Sequence, residues 1–177
     1  TVLDGVTITG GHANGSGAPS GYGGGMSIEG GCKIQVRNVI FRANAASLSS
    51  GGGGANLQNC TPTFVNVRFI GNRAGGMRIL QNNQTTSVVM TNCVFQDNPG
   101  QGTGGIRTAG TVNLTLTNVT IYNNTTTNTT DGAGMWLSSG TTAKIRNCII
   151  SGNISSGGGN DINTSGTVTI RNSVVGT

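Results

Sequence analysis

Two asparagine columns constrain this chain more than any other feature. Asn38, Asn66, Asn92, Asn118, Asn147 and Asn172 recur at intervals of 28, 26, 26, 29 and 25 residues. Five of them are followed six residues later by a second asparagine: Asn44, Asn72, Asn98, Asn124 and Asn153. A fixed offset inside a variable period marks a repeat with one constant piece and insertions outside it. The apolar positions share this frame. Two before the first Asn stand Val36, Phe64, Met90, Leu116, Ile145 and Ile170; one after it Val39, Val67, Cys93, Val119, Cys148 and Ser173; three after it Phe41, Phe69, Phe95, Ile121, Ile150 and Val175. On each side of the Asn the pattern alternates with period 2, as a strand with one buried face does. Across the Asn the phase shifts, so the chain bends there.

Five repeats also open on glycines ahead of a small or apolar residue: Gly24-Gly25-Met26, Gly53-Gly54-Ala55, Gly75-Gly76-Met77, Gly104-Gly105-Ile106 and Gly132-Ala133-Gly134-Met135. Each repeat reads as three short strands joined by one glycine-rich and two Asn-marked corners. One repeat is too short to bury a core alone, but stacked repeats share a continuous one. The fold expected is all-β: a right-handed single-stranded parallel β-helix, a solenoid of about six to seven coils of 25–29 residues, with Leu3 to Ile8 belonging to the first. It forms one domain over residues 1–177. The hexapeptide rhythm of a left-handed helix and the L-x-x-L-x-L of leucine-rich repeats do not occur.

The composition fits this reading and excludes others. Gly, Asn and Thr supply 78 of the 177 residues, yet Val, Ile, Leu and Phe supply 39 and the net charge is only +5, more apolar and less charged than a disordered chain. Stacked Asn amides can hydrogen-bond from coil to coil, and Asn tolerates left-handed backbone geometry, so both columns read as ladders. Cys32 and Cys60 both lie six before their Asn on adjacent coils, within disulfide reach; two free core thiols are the alternative. Cys93 and Cys148 lie two coils apart and read as small core residues. No C-x-x-C occurs and His12 is the single histidine, so no metal and no cofactor are expected. The chain opens at Thr1 without a Met or a signal peptide, which reads as a piece of something longer.

Phe41-Arg-Ala-Asn44, Phe69-Ile-Gly-Asn72 and Phe95-Gln-Asp-Asn98, with weaker copies Ile121-Tyr-Asn-Asn124 and Ile150-Ser-Gly-Asn153, combine with the Gly-Gly corners into a repeat. This repeat resembles those of polymorphic outer-membrane proteins and of bacterial surface β-helix proteins with choice-of-anchor sorting regions. The resemblance implies an extracellular or cell-surface location and an adhesin-like, structural role.

Parallel β-helices also carry polysaccharide lyases and glycoside hydrolases, which need paired carboxylates or an acidic calcium cluster. The five acids here, Asp4, Glu29, Asp97, Asp131 and Asp161, share no column on adjacent coils. Asp131 with Asp161 is the one inter-loop pair to consider, and a non-enzyme is expected. The cations are more ordered. Arg37, Arg146 and Arg171 precede ladder asparagines, while Arg78, Arg107 and Trp136 occupy one outward column on consecutive coils. Arg over Trp suits a cation–π contact, and such a platform suits an acidic glycan or a flat sugar face; a merely solubilising surface is the plainer reading. T-x-T triplets at Thr61–Thr63, Thr115–Thr117 and Thr167–Thr169 are broken by Lys33, Ser87 and Lys144, against an ice-matching lattice.

Insertions gather after the second Asn, at Ala45–Ser50, Pro99–Thr103 and Thr125–Asp131, and place variable loops on one edge. Outward apolar residues at Ile40, Val94, Ile149 and Val174 suggest contact with another chain or a local loop. The partners expected are other copies stacked end to end into a filament, flanking domains of the same protein, or surface glycans. No nucleic-acid motif and no membrane-inserting segment is read.

Overall fold

The computed structural model describes residues 1–17, 19–49, 51–84, 86–158 and 161–176. Its strands are short and parallel, and they stack into three faces of a solenoid. Seven strands form the first face, from Val2–Asp4 and Gln35–Arg37 to Thr167–Arg171; seven form the second, from Thr7–Thr9 and Ile40–Arg42 to Val174–Val175; six form the third, from Met26–Glu29 to Ile162–Thr164. The third face therefore spans five turn-to-turn steps.

The register is the one the columns anticipate. Val36 pairs with Phe64, Phe64 with Met90, Met90 with Leu116 and Leu116 with Ile145. On the second face Phe41, Phe69, Phe95, Ile121 and Ile150 stand in one row. All of these side chains are buried. The phenylalanine rings stack nearly parallel, Phe41 on Phe69 at 4.8 Å and Phe69 on Phe95 at 4.6 Å between ring centroids. The parallel register itself sets that spacing, because adjacent strands lie about 4.8 Å apart. Ile170 is 43% exposed in the last turn, where one side of the row has no neighbour. The first step is longer than expected: Val2 pairs with Gln35, 33 residues on. Segment 14–23 adds the excess length before the third face begins.

The two asparagine columns, both expected to be ladders, do different work. Asn38, Asn66, Asn92, Asn118, Asn147 and Asn172 are exposed, with φ between 50° and 56°. They turn the corner between the first and second faces. Among them, Asn66, Asn92 and Asn118 each donate an amide N–H to the Oδ1 of the preceding coil's Asn at 3.2–3.3 Å. Asn44, Asn72, Asn98, Asn124 and Asn153 are at most 2% exposed and have no positive φ. The left-handed residue at that corner is the one before each of them: Ala43, Gly71, Asp97, Asn123 and Gly152. The buried amides hold three coils together. Asn98 Nδ2 donates back to the Phe69 carbonyl at 3.0 Å and forward to Asn124 Oδ1 at 2.8 Å, while its Oδ1 accepts from the backbone N and the Nδ2 of Asn72. In a core without water this satisfies every polar atom of the side chain.

Cys32 and Cys60 are free thiols, so the alternative to a disulfide holds. Their backbones are paired, Thr61 N–H donating to the Cys32 carbonyl at 3.0 Å, but Cys32 is exposed and Cys60 turns into the core. Burial raises the Cys60 and Cys93 thiols to about 11 each. The insertions are also more ordered than loops. Pro99–Gly100, Thr125–Thr126 and Ile154–Ser155 pair into a small fourth sheet, and Ala45–Ala46 pairs with His12–Ala13. Ser50, the end of the first insertion, lies outside the described residues.

Candidate functional site

The outward side chains of the third face make one row down the solenoid: Ser27, Asn56, Arg78, Arg107, Trp136 and Asn163. Strand alternation sends these residues out while Ile28, Leu57, Met77, Ile79, Ile106 and Met135 go in. The expected column of Arg78, Arg107 and Trp136 is therefore present. Arg107 lies over the Trp136 ring, its guanidinium carbon 4.2 Å from the centroid.

Sequence periodicity misses half of this site. Tyr22, from the inserted segment before the third face, lies under Arg78 with the guanidinium carbon 4.1 Å from its centroid. Asn56 is completely buried although its position faces outward. Its Nδ2 donates to Ser27 Oγ at 3.1 Å and its Oδ1 accepts from Arg78 Nη1 at 2.8 Å. At the other end the 125–131 insertion folds back onto the row. Asp131 Oδ2 accepts from Arg107 Nη1 at 2.8 Å and from Asn128 Nδ2 at 3.1 Å, and Asn163 Nδ2 donates to the Thr130 carbonyl. The row is thus a strip with two guanidinium–aromatic stacks, each contributing about 0.5–2 kcal/mol by its cation–π contact. Close backbone approach contributes too: a side chain at Gly52, whose φ is 56°, would strike the Arg78 backbone at 2.5 Å.

The charges along the row are unequal. Arg107 is paired with Asp131, whose side chain is 11% exposed. Arg78 forms no ion pair among the described residues. Burial holds its guanidinium below the usual arginine range, with Tyr22 opposing and Arg107 adding to the effect. It remains a cation at neutral pH.

Each acid has a local partner. Asp4 accepts from Arg37 Nε at 2.9 Å and from Asn38 Nδ2 at 2.8 Å, which holds its carboxyl below the usual range, the Asn38 bond first and the Arg37 charge with it. Asp97 accepts from Gln96 and Asn123, and Glu29 from Ser27 Oγ. Asp161 is 2% exposed and accepts from the backbone N and the Nδ2 of Asn153 at 2.8 and 2.6 Å. Among the described residues no group of three or more His, Cys, Asp or Glu side chains is gathered around a point. Clefts open at the insertion edge and at the Ser27 end of the row. One of about 240 Å³ opens on the insertion edge between Arg73, Pro99 and Thr127. Two of about 360 and 490 Å³ flank Thr1, Lys33 and Ile34. Among the described residues no helix is long and apolar enough to cross a membrane.

The family comparison agrees with the three-faced stacking. A family described as "Right handed beta helix region" matches residues 24–176. The chain belongs to the right-handed β-helix family. The matched span begins at the glycine corner of the third face and includes both asparagine columns, all six third-face strands and every residue of the outward row, while Tyr22 precedes it. No curated protein and no solved structure matches the chain. Family membership establishes the β-helix; what the row does has to come from its chemistry.

Proposed function

We propose that this β-helix is a non-catalytic structural module of an extracellular bacterial surface protein, a rigid adhesin-like spacer. The observation that carries the reading is where the acids are spent. Asp131 neutralises Arg107, Asp161 is buried on Asn153, and Asp4, Asp97 and Glu29 each bond a neighbour on their own or the adjacent coil. A glycosidase needs two carboxyls free to face a scissile bond about 5–9.5 Å apart. The Gly-Gly and Phe-x-x-Asn repeats support the finer assignment through their resemblance to polymorphic outer-membrane and choice-of-anchor proteins. The test is antibody labelling of intact against permeabilised source cells. Labelling of intact cells supports the proposal, and labelling only after permeabilisation overturns it.

A second feature favours association within the same class. Ile149 and Val174 pair side by side at 50% and 61% exposure, and the strands Met26–Glu29 and Thr167–Arg171 each have one unpaired edge. Open edges and outward apolar residues suit docking against further coils, either of flanking sequence or of a second copy stacked end to end. Negative-stain microscopy at high protein concentration distinguishes these, since fibres support stacking of copies and monodisperse short rods exclude it.

A further inference from the structure

We infer that the outward row of the third face is a binding strip for an anionic glycan, with Arg78 as the residue that takes the ligand's carboxylate or sulfate. This deepens the reading of the chain as a surface module by naming what its row would hold.

Three observations carry it. First, Arg78 is fixed before any ligand arrives. Asn56 Oδ1 holds one terminal nitrogen at 2.8 Å and the Tyr22 ring supports the guanidinium plane at 4.1 Å. Second, most of its hydrogen-bonding capacity is unspent. A guanidinium has five N–H donors in a planar fork, and among the described residues that of Arg78 makes one hydrogen bond, to Asn56. Third, it forms no ion pair among the described residues, Glu29 being the last and smallest of the influences on its charge, whereas Arg107 is paired with Asp131. A half-buried, pre-positioned and unpaired guanidinium is costly to keep in a surface that needs only solubility, since an exposed Arg would serve. It matches the bidentate geometry of a carboxylate or sulfate oxygen pair.

The rest of the row selects the ligand class. Ser27 and Asn163 supply a hydroxyl and an amide on either side of the cations, suited to a hydroxyl-rich chain running down the solenoid axis. Tyr22 and Trp136 each already have one ring face covered by a guanidinium, which leaves a poor platform for successive bases.

The test is calorimetric titration of the whole chain at low and at physiological salt with polygalacturonate, chondroitin sulfate, fully methyl-esterified galacturonan and single-stranded RNA. The wild type is expected to bind at least one of the two acidic glycans and to bind the neutral ester at least tenfold more weakly. Arg78→Gln is expected to weaken acidic-glycan binding at least tenfold, and Arg78→Lys to recover only part of it because the fork is lost. Tyr22→Leu, in a segment outside the stacked strands, is expected to weaken binding while the protein still unfolds cooperatively with only a small drop in thermal midpoint, which separates loss of the site from loss of the fold. Binding of polygalacturonate assigns the carboxylate, and loss of chondroitin sulfate binding on chemical desulfation assigns the sulfate. Absence of glycan binding, equal affinity for the neutral ester, wild-type affinity in Arg78→Gln, or tighter binding of RNA each overturns the inference. None of these results bears on the cell-labelling test, so the two readings fail separately.

Discussion

Asp161 Oδ1 stands 2.6 Å from Asn153 Nδ2 and 2.8 Å from the Asn153 backbone N, in the place where every earlier coil offers an asparagine Oδ1. Asn124, for comparison, gives the same two bonds to Asn153 Oδ1 at 2.8 and 3.0 Å. Asp161 comes from a different column altogether. It occupies the corner position just before the third-face strand, filled by Gly25, Gly54, Gly76, Gly105 and Gly134 in the turns before it. Those positions are glycine because a Cβ at Gly76 would lie 2.8 Å from the Phe95 ring and one at Gly25 2.9 Å from Asn44 Nδ2. At this turn a carboxylate takes the glycine's place and accepts both Asn153 donors.

Asp161→Asn keeps an acceptor at this point and is expected to change stability by less than about 1 kcal/mol. Asp161→Ala strands two buried donors of Asn153 and is expected to cost about 2–3 kcal/mol. Urea unfolding of the three proteins measures both, and equal loss in the two variants would contradict the account.

Asparagine substitutions separate the two columns. Asn92 is exposed with φ 54°, so Asn92→Gly is expected to stay within about 0.5 kcal/mol of wild type. Asn98→Gly removes the acceptor for Asn72 and the donor to the Phe69 carbonyl, all within the core. A loss of about 3 kcal/mol or more is expected, read by the same urea titration.

The phenylalanine stack predicts a size-dependent series. Phe69 lies between Phe41 and Phe95 and is fully buried. Phe69→Ala is expected to cost about 3–5 kcal/mol, and Phe69→Leu distinctly less because it leaves a smaller void. Calorimetric midpoints order the two.

Much of this was legible in the residues. Alternation about the first Asn placed the core rows of Phe64 and Phe69 and their register, because period and burial are coupled in a strand. The outward column of Arg78, Arg107 and Trp136 followed from the same phase. The division between the asparagine columns did not follow, since it depends on the left-handed residue before the buried Asn, and that place is held variously by Ala43, Gly71, Asp97, Asn123 and Gly152. Tyr22 and Asp131 lie in insertions outside the repeat frame, so periodicity carries no signal for them. The fate of Cys32 and Cys60 turned on side-chain direction, which column spacing does not set.

Those cysteines give a labelling prediction. Cys32 is exposed, while Cys60, Cys93 and Cys148 are buried. One thiol in four is expected to react rapidly with an aromatic disulfide reagent in the native state, and all four after unfolding. Raised folded-state values mean that burial of Cys60 and Cys93 favours the native state below the ordinary thiol pKa and is lost as pH climbs through about 11. Stability is therefore expected to fall between pH 9 and pH 11, as thermal midpoints across that range would show.

We propose that the acids of this β-helix serve its structure and leave a surface that binds without cutting. The most direct test is prolonged incubation of the intact chain with acidic polysaccharides, with and without calcium, followed by assay for new reducing ends and unsaturated products. No turnover above a heat-denatured control is the predicted result. Turnover that Asp131→Asn abolishes while leaving the thermal midpoint in place would contradict it.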